Sequence, residues 1–366
     1  MFTNDFFIAR TGEGAENVLA IRSPAMREPE ISGTRNLSID LVKIIAMSMV
    51  VCRHTSCVFM DFKDCSLSTE WVMNSLSVVC VPLFFMVTGY LLTGRREGYG
   101  YVFRKLWAIA RLTVLFIGIV WAAMALPHPE SFGKAWFYKS YLYTIYLAAG
   151  GKGLFSVFWY FTALATVYLC YPLLERLALK RKYYLLVLAL LAGVEGIAFA
   201  GNLLGKGEGA VPQSLRLWNW LFYFMLGGAI RLWPESVRAF RSGLLGWLAV
   251  PLGAAVVLVR WMWTPEMPRP GVEFFYGFPV MILFCVCIFL WCLSLKIRDS
   301  RVIRGFSSLF LPVYAIHPLV ILIIRFRYFE DVPCAPPVYF LTVLVTTVVA
   351  CGLLMRLRVC RWLFRL

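Results

Sequence analysis

Metal and nucleotide signatures are what this chain most plainly lacks. It holds only three histidines, has no Cys-x-x-Cys pair, and shows no His/Cys spacing that suits a metal ion. Its eleven cysteines are scattered. Most lie inside apolar runs (Cys52, Cys80, Cys170, Cys285, Cys287, Cys292, Cys351), where they read as small buried hydrophobes. Cys57, Cys65 and Cys334 fall near one membrane face, where a disulfide has no further support. No Walker motif, Gly-rich nucleotide loop, run of gating arginines or internal repeat occurs, and the spans do not divide into two similar halves as in many secondary transporters. Acidic residues are few, 20 against 36 Lys and Arg, for a net charge of +16. That excess comes without a long basic tail or an aromatic-plus-basic RNA signature, so nucleic acid is not the implied partner. The chain also does not open on an apolar run. Residues 1–34 mix Gly, Glu, Arg and Pro, show no cleavable signal peptide, and read as a flexible cytoplasmic extension.

Apolar length is what is abundant. With 60% hydrophobic residues and a mean hydropathy of +0.73, the chain carries more apolar surface than a soluble domain of this size can use. Ten spans are predicted, at roughly 37–60, 71–93, 106–126, 157–175, 183–201, 216–233, 243–261, 276–295, 307–326 and 338–355. Segment 136–149 is aromatic but short and interrupted by Lys139, so it reads as a re-entrant or interfacial helix. The expected fold is all-α, a polytopic membrane bundle of about ten transmembrane helices over residues 35–360, followed by a basic tail, 361–366. Alternate loops sort by charge. One set holds Arg95, Arg96, Arg104, Lys105, Arg176, Lys180, Arg181, Lys182, Arg231, Arg238, Arg241, Lys296, Arg298, Arg301 and Arg304, and the tail adds Arg356, Arg358, Arg361 and Arg365. The opposite set is sparse. By the positive-inside rule both termini are cytoplasmic.

Within the first span, residues 35–60, stand Asp40, Lys43, Arg53 and His54. Ionisable groups at membrane depth cost several kcal/mol unless they face protein or water, which makes them functional candidates. Lys43 and His54 are eleven residues apart, so they share a helix face about 16 Å apart along the axis. The plain alternative is a snorkelling lysine and a packed histidine. In the second span Pro82 and Gly89 need protein or water beside them, Gly89 for close approach of a helix or a ligand. Arg104 and Lys105 open the third span, and Arg111 lies on the Arg104 face two turns deeper. Such cations suit phosphate arriving from the cytosol, or serve as positive-inside anchors. Phe158-Trp159-Tyr160-Phe161 is an aromatic belt or a sugar-stacking platform at the level of His54. Val313-Tyr314-Ala315-Ile316-His317-Pro318 puts a second imidazole inside a span, while His128 is in a loop. Glu195 and Asn219 are further polar residues within spans, without obvious partners in the sequence.

These motifs occur together in a recognisable order. Ser38-Ile39-Asp40-Leu41-Val42-Lys43 leads through ten residues to His54, and Val81-Pro82-Leu83-Phe84-Phe85-Met86-Val87-Thr88-Gly89-Tyr90-Leu91-Leu92 follows. Phe158-Trp159-Tyr160-Phe161, Tyr168, Tyr171-Pro172-Leu173-Leu174 and Tyr314-Ala315-Ile316-His317 complete the set. Over residues 35–360 the chain resembles the integral-membrane acyltransferase family three, especially the bacterial branch that O-acetylates surface glycans such as the enterobacterial common antigen. The resemblance implies transfer of an acyl group, acetyl above all, from cytosolic acyl-CoA to a hydroxyl of a cell-envelope glycan or lipid-linked sugar, in the bacterial inner membrane. It implies catalytic roles for His54 and Lys43, the former as general base or transient acyl carrier. Arg104, Lys105 and Arg111 would bind the donor, although Ala108 stands where the family usually has a second Arg. Trp159, Tyr160 and His317 would meet the acceptor, with His317 orienting His54 or holding the bundle. No metal and no permanently bound cofactor are expected, acetyl-CoA being a substrate; self-association stays open. Two rivals remain: a membrane binding or transport protein for a small molecule on the same fold, and a structural partner in a glycan-assembly complex.

Overall fold

A computed structural model of the chain describes residues 36–58, 67–125, 145–146, 155–204, 211–235, 242–264, 275–328 and 335–365. The N-terminal extension, His128, Cys65, Cys334 and most of segment 136–149 lie outside the described residues. Among those described, the regular elements are all helices. In chain order they begin with α1 (Leu37–Ser56), α2 (Thr69–Leu76), α3 (Cys80–Leu92), α4 (Tyr99–Ala125), α5 (Trp159–Ala178) and α6 (Arg181–Leu203). There follow α7 (Leu217–Leu232), α8 (Ser242–Trp263), α9 (Pro279–Ser294), α10 (Arg301–Ser308), α11 (Phe310–Tyr328), α12 (Pro336–Leu354) and α13 (Arg358–Leu363).

Local chemistry sets the helix ends. The Asn36 side chain accepts from the Ser38 and Ile39 N–H groups at 3.0 and 3.3 Å and opens α1. Ser68 and Ser300 cap α2 and α10 in the same way. Pro279 and Pro336 stand in the first turns of α9 and α12, where a missing N–H costs nothing. Pro82 cannot donate back up the chain, and ahead of it the helix narrows into a 3-10 turn, Ser77–Val79, that joins α2 to α3. α10 and α11 meet at a 57° bend.

Among the described residues, five helices are long and apolar enough to cross a membrane unaided: Thr69–Leu92 (α2 and α3 joined), Ser156–Ala178, Arg181–Leu203, Gly243–Trp263 and Pro336–Leu354. The bent pair α10/α11 makes a sixth if it is one span. α1 is long enough but carries Asp40, Lys43 and Arg53; α4 runs for 27 residues and opens on Arg104 and Lys105; α7 and α9, at 16 residues each, are short. The outer faces of the peripheral helices are greasy. Leu186, Leu190 and Ile197 on α6, and Leu341, Val345, Val349 and Leu353 on α12, stand exposed at helical spacing, as lipid-facing stripes do.

α1 occupies the middle of the bundle. It packs on α2, α3, α9, α10, α11 and α12, burying Ile39, Val42, Ala46 and Val50 at three- and four-residue spacing. The tightest pair is α3 with α7. A Cβ on Gly89 would overlap the Phe224 carbonyl, and one on Gly227 would overlap the Met86 carbonyl. Gly89 is therefore the close approach of a helix rather than of a ligand. Glu195 and Asn219 find each other, the Asn219 amide oriented to donate to the Glu195 carboxylate.

Candidate active site

His54 stands in the last turn of α1. The two hydroxyls that follow it are satisfied within that turn. Thr55 Oγ1 donates to the Val51 and Cys52 carbonyls at 2.9 and 3.0 Å, and Ser56 Oγ to the Arg53 carbonyl at 3.0 Å. The imidazole of His54, half-buried, turns to α11 instead. Its ring lies 5.1 Å from the His317 ring, centroid to centroid, with 43° between the planes. His317 is completely buried, at 0% exposure. Its Nδ1 is 3.1 Å from the Val313 carbonyl, while its Nε2 has no hydrogen-bond partner among the described residues. Pro318, the next residue, brings no N–H to the helix ladder, which loosens the backbone at this turn.

An aromatic cluster backs the two imidazoles. Tyr314 lies edge-on to His317 at 6.0 Å and donates a 2.7 Å hydrogen bond to the Val157 carbonyl at the head of α5. Tyr160 lies 5.2 Å from Tyr314, Phe161 5.5 Å from it, and Phe84 5.7 Å from Tyr160. Motif fragments from α1, α3, α5 and α11 thus meet at one place. Trp159 belongs to the same layer but packs against Trp220 at 5.1 Å, and Trp159 and Tyr160 are both buried core rings rather than an exposed belt.

At the other end of α1, Lys43 Nζ is 3.3 Å from Asp40 Oδ1. Asp40 is buried and also accepts a 2.7 Å hydrogen bond from Ser307 Oγ on α10. The lysine is thus charge-paired within its own helix, some 16 Å along the axis from His54. The α4 cations go to three different places. Arg104 is exposed; Lys105 Nζ stands 5.2 Å over the Tyr101 ring. Arg111 stacks 4.5 Å over Trp362 and donates a 2.7 Å hydrogen bond to the Arg365 carbonyl. Its partners come from the C-terminal segment, which folds back as α13 with Leu363 and Phe364 buried, Phe364 against Phe116 at 6.1 Å.

Two positions of consequence were not singled out by sequence reasoning. Arg260, near the end of α8, is 1% exposed, lies 4.9 Å over Trp71, and donates to Asn74 Oδ1 at 3.1 Å and Ser75 Oγ at 2.9 Å. Asn74 in turn reaches Ser56 Oγ at 3.3 Å, so this guanidinium braces the turn that carries His54. The signal was available, a lone charge in an apolar helix. Glu175 is the second. Its carboxylate accepts from the Gly94 and Arg96 N–H groups at 3.3 and 3.4 Å. It thereby holds the loop between α3 and α4, where Gly94 and Arg96 have φ of +88° and +52°.

A helical bundle that sets a half-buried histidine beside a fully buried one, backed by aromatic rings, has ionisable groups where a membrane protein places them for a function. The model of the acyltransferase domain known as acyltransferase family 3 matches residues 36–356, and the chain belongs to that family. It is a membrane acyltransferase. No curated protein and no solved structure matches it.

Proposed function

We propose that this protein is an O-acyltransferase of the bacterial inner membrane. It carries an acyl group, acetyl above all, from cytosolic acyl-CoA to a hydroxyl of a cell-envelope glycan or lipid-linked sugar, as the surface-glycan branch of the family does. The bundle spans the membrane ten times, counting α2/α3 and α10/α11 as one span each, with both termini in the cytoplasm. Loop charge supports that orientation.

His54 takes the proton of the acceptor hydroxyl as the oxygen attacks the thioester carbonyl. A C–O bond forms and the C–S bond breaks. The departing thiolate takes the proton from the His54 imidazolium, which returns the base to its neutral form. Arg104 and Lys105 hold the anionic end of CoA at the start of α4, and Lys43, paired with Asp40, fixes the inner part of α1. Arg111 closes the donor end by holding α13. The reading is supported above all by one observation, that motif fragments from α1, α3, α5 and α11 converge on the His54–His317 pair. The test is consumption of labelled acetyl-CoA by purified protein, with glycan acetylation followed by mass spectrometry in cells with and without it. Solute uptake without acyl turnover would favour a transporter, and an acyl-imidazole trapped on His54 would replace the base by a covalent carrier.

A further inference from the structure

The two histidines are not equivalent. The carbonyl of Val313 can only accept, so the 3.1 Å contact requires the proton of neutral His317 to sit on Nδ1. Its lone pair is then on Nε2, completely buried and without a hydrogen-bond partner among the described residues. A buried acceptor left in that condition costs roughly 1–3 kcal/mol, which argues for a partner in the working cycle. The nearest imidazole is that of His54, its ring centroid 5.1 Å from that of His317 with 43° between the planes. Nitrogens of two such rings turned towards each other come within hydrogen-bond reach, about 2.9 Å.

We infer that His317 is the positioning residue of His54: its Nε2 accepts an N–H of the His54 ring and so directs the other His54 nitrogen at the acceptor hydroxyl. This inference rests on the acyl-transfer reading. When His54 has taken the hydroxyl proton it carries two N–H groups. One is held by His317 Nε2, and the proton of the other passes to the leaving thiolate. The Val313 bond locks the His317 tautomer, so it presents a lone pair and not a competing donor.

Two substitutions separate this role from a structural one. His317→Gln can put an amide oxygen near the Nε2 position. His317→Asn can keep the N–H bond to Val313 but has no acceptor that far out. We expect His317→Gln to keep kcat within about fivefold and His317→Asn to lower it about tenfold or more, with KM for acyl-CoA unchanged in both. With three histidines in the chain, the ring 15N spectrum is simple enough to follow. The His54 resonances should move in His317→Asn and hold in His317→Gln. Equal activity of the two variants, or unmoved His54 resonances in His317→Asn, would overturn the inference, and the second result decides even if His317→Gln fails to fold. An inactive His54→Ala beside a fully active His317→Asn would remove this inference alone. Wild-type protein without transfer would remove the underlying reading and this inference with it.

Discussion

Ser307 on α10 reaches across to Asp40 on α1 with a 2.7 Å hydrogen bond, and Asp40 takes the Lys43 ammonium at 3.3 Å. The three side chains make one unit, in which the lysine neutralises a carboxylate whose exposure is only 1%. Lys43→Ala would take the ammonium partner from a buried carboxylate, at a cost of about 1–3 kcal/mol. Thermal stability in detergent should fall for Lys43→Ala and for Asp40→Ala, and recover in part in the double variant. Lys43→Arg should keep partial function. Strictly additive losses would show that the pair is not coupled.

The α3–α7 contact gives a second prediction. Because a Cβ at Gly89 or Gly227 would run into backbone carbonyls, the helices themselves must separate. Gly89→Ala and Gly227→Ala should each cost about 1–3 kcal/mol. Both Gly94→Ala, whose φ is positive, and Gly100→Ala, in open space, provide comparisons. Gly100→Ala should be close to neutral. A neutral Gly89→Ala would contradict the packing described.

The α4 cations should divide by function. Arg104 is exposed, and on the proposed function it meets the CoA phosphates, so Arg104→Gln should raise KM for acyl-CoA about fivefold or more while leaving stability intact. Arg111 is held by Trp362 and the Arg365 carbonyl, so Arg111→Gln should instead loosen α13, read as faster proteolysis of the C-terminal segment. An Arg111→Gln variant that changes donor KM with α13 still protected would place Arg111 in the donor site itself.

The orientation can be checked independently. Reporters fused after Leu366 or placed within 176–182 should read cytoplasmic, and reporters within 61–68 external. An external reading after Leu366 would break the ten-span count.

Much of the helical framework was legible because membrane spans advertise themselves by apolar length, and the chemistry-bearing fragments because charge and histidine are rare inside them. What lay beyond the sequence is partnership between distant helices. The Asp40–Lys43 spacing of three residues is a readable helix pair, yet Ser307 joins it from α10. His54 and His317 were each visible, but it is the packing of α1 against α11 that brings their rings to 5.1 Å. Arg260 shows in the sequence as a lone charge in an apolar helix, but its place against Trp71 and Asn74 of α2 does not. Residues 361–366 read as a basic tail, because nothing local reveals that Phe364 finds Phe116 on α4.

The most direct measurement is acyl transfer per folded molecule for His54→Ala, with insertion and thermal stability in detergent measured on the same preparation. The account predicts a loss of at least about a hundredfold in transfer with folding unchanged, as the removal of a general base requires. Transfer at the wild-type rate by well-folded His54→Ala protein would contradict it.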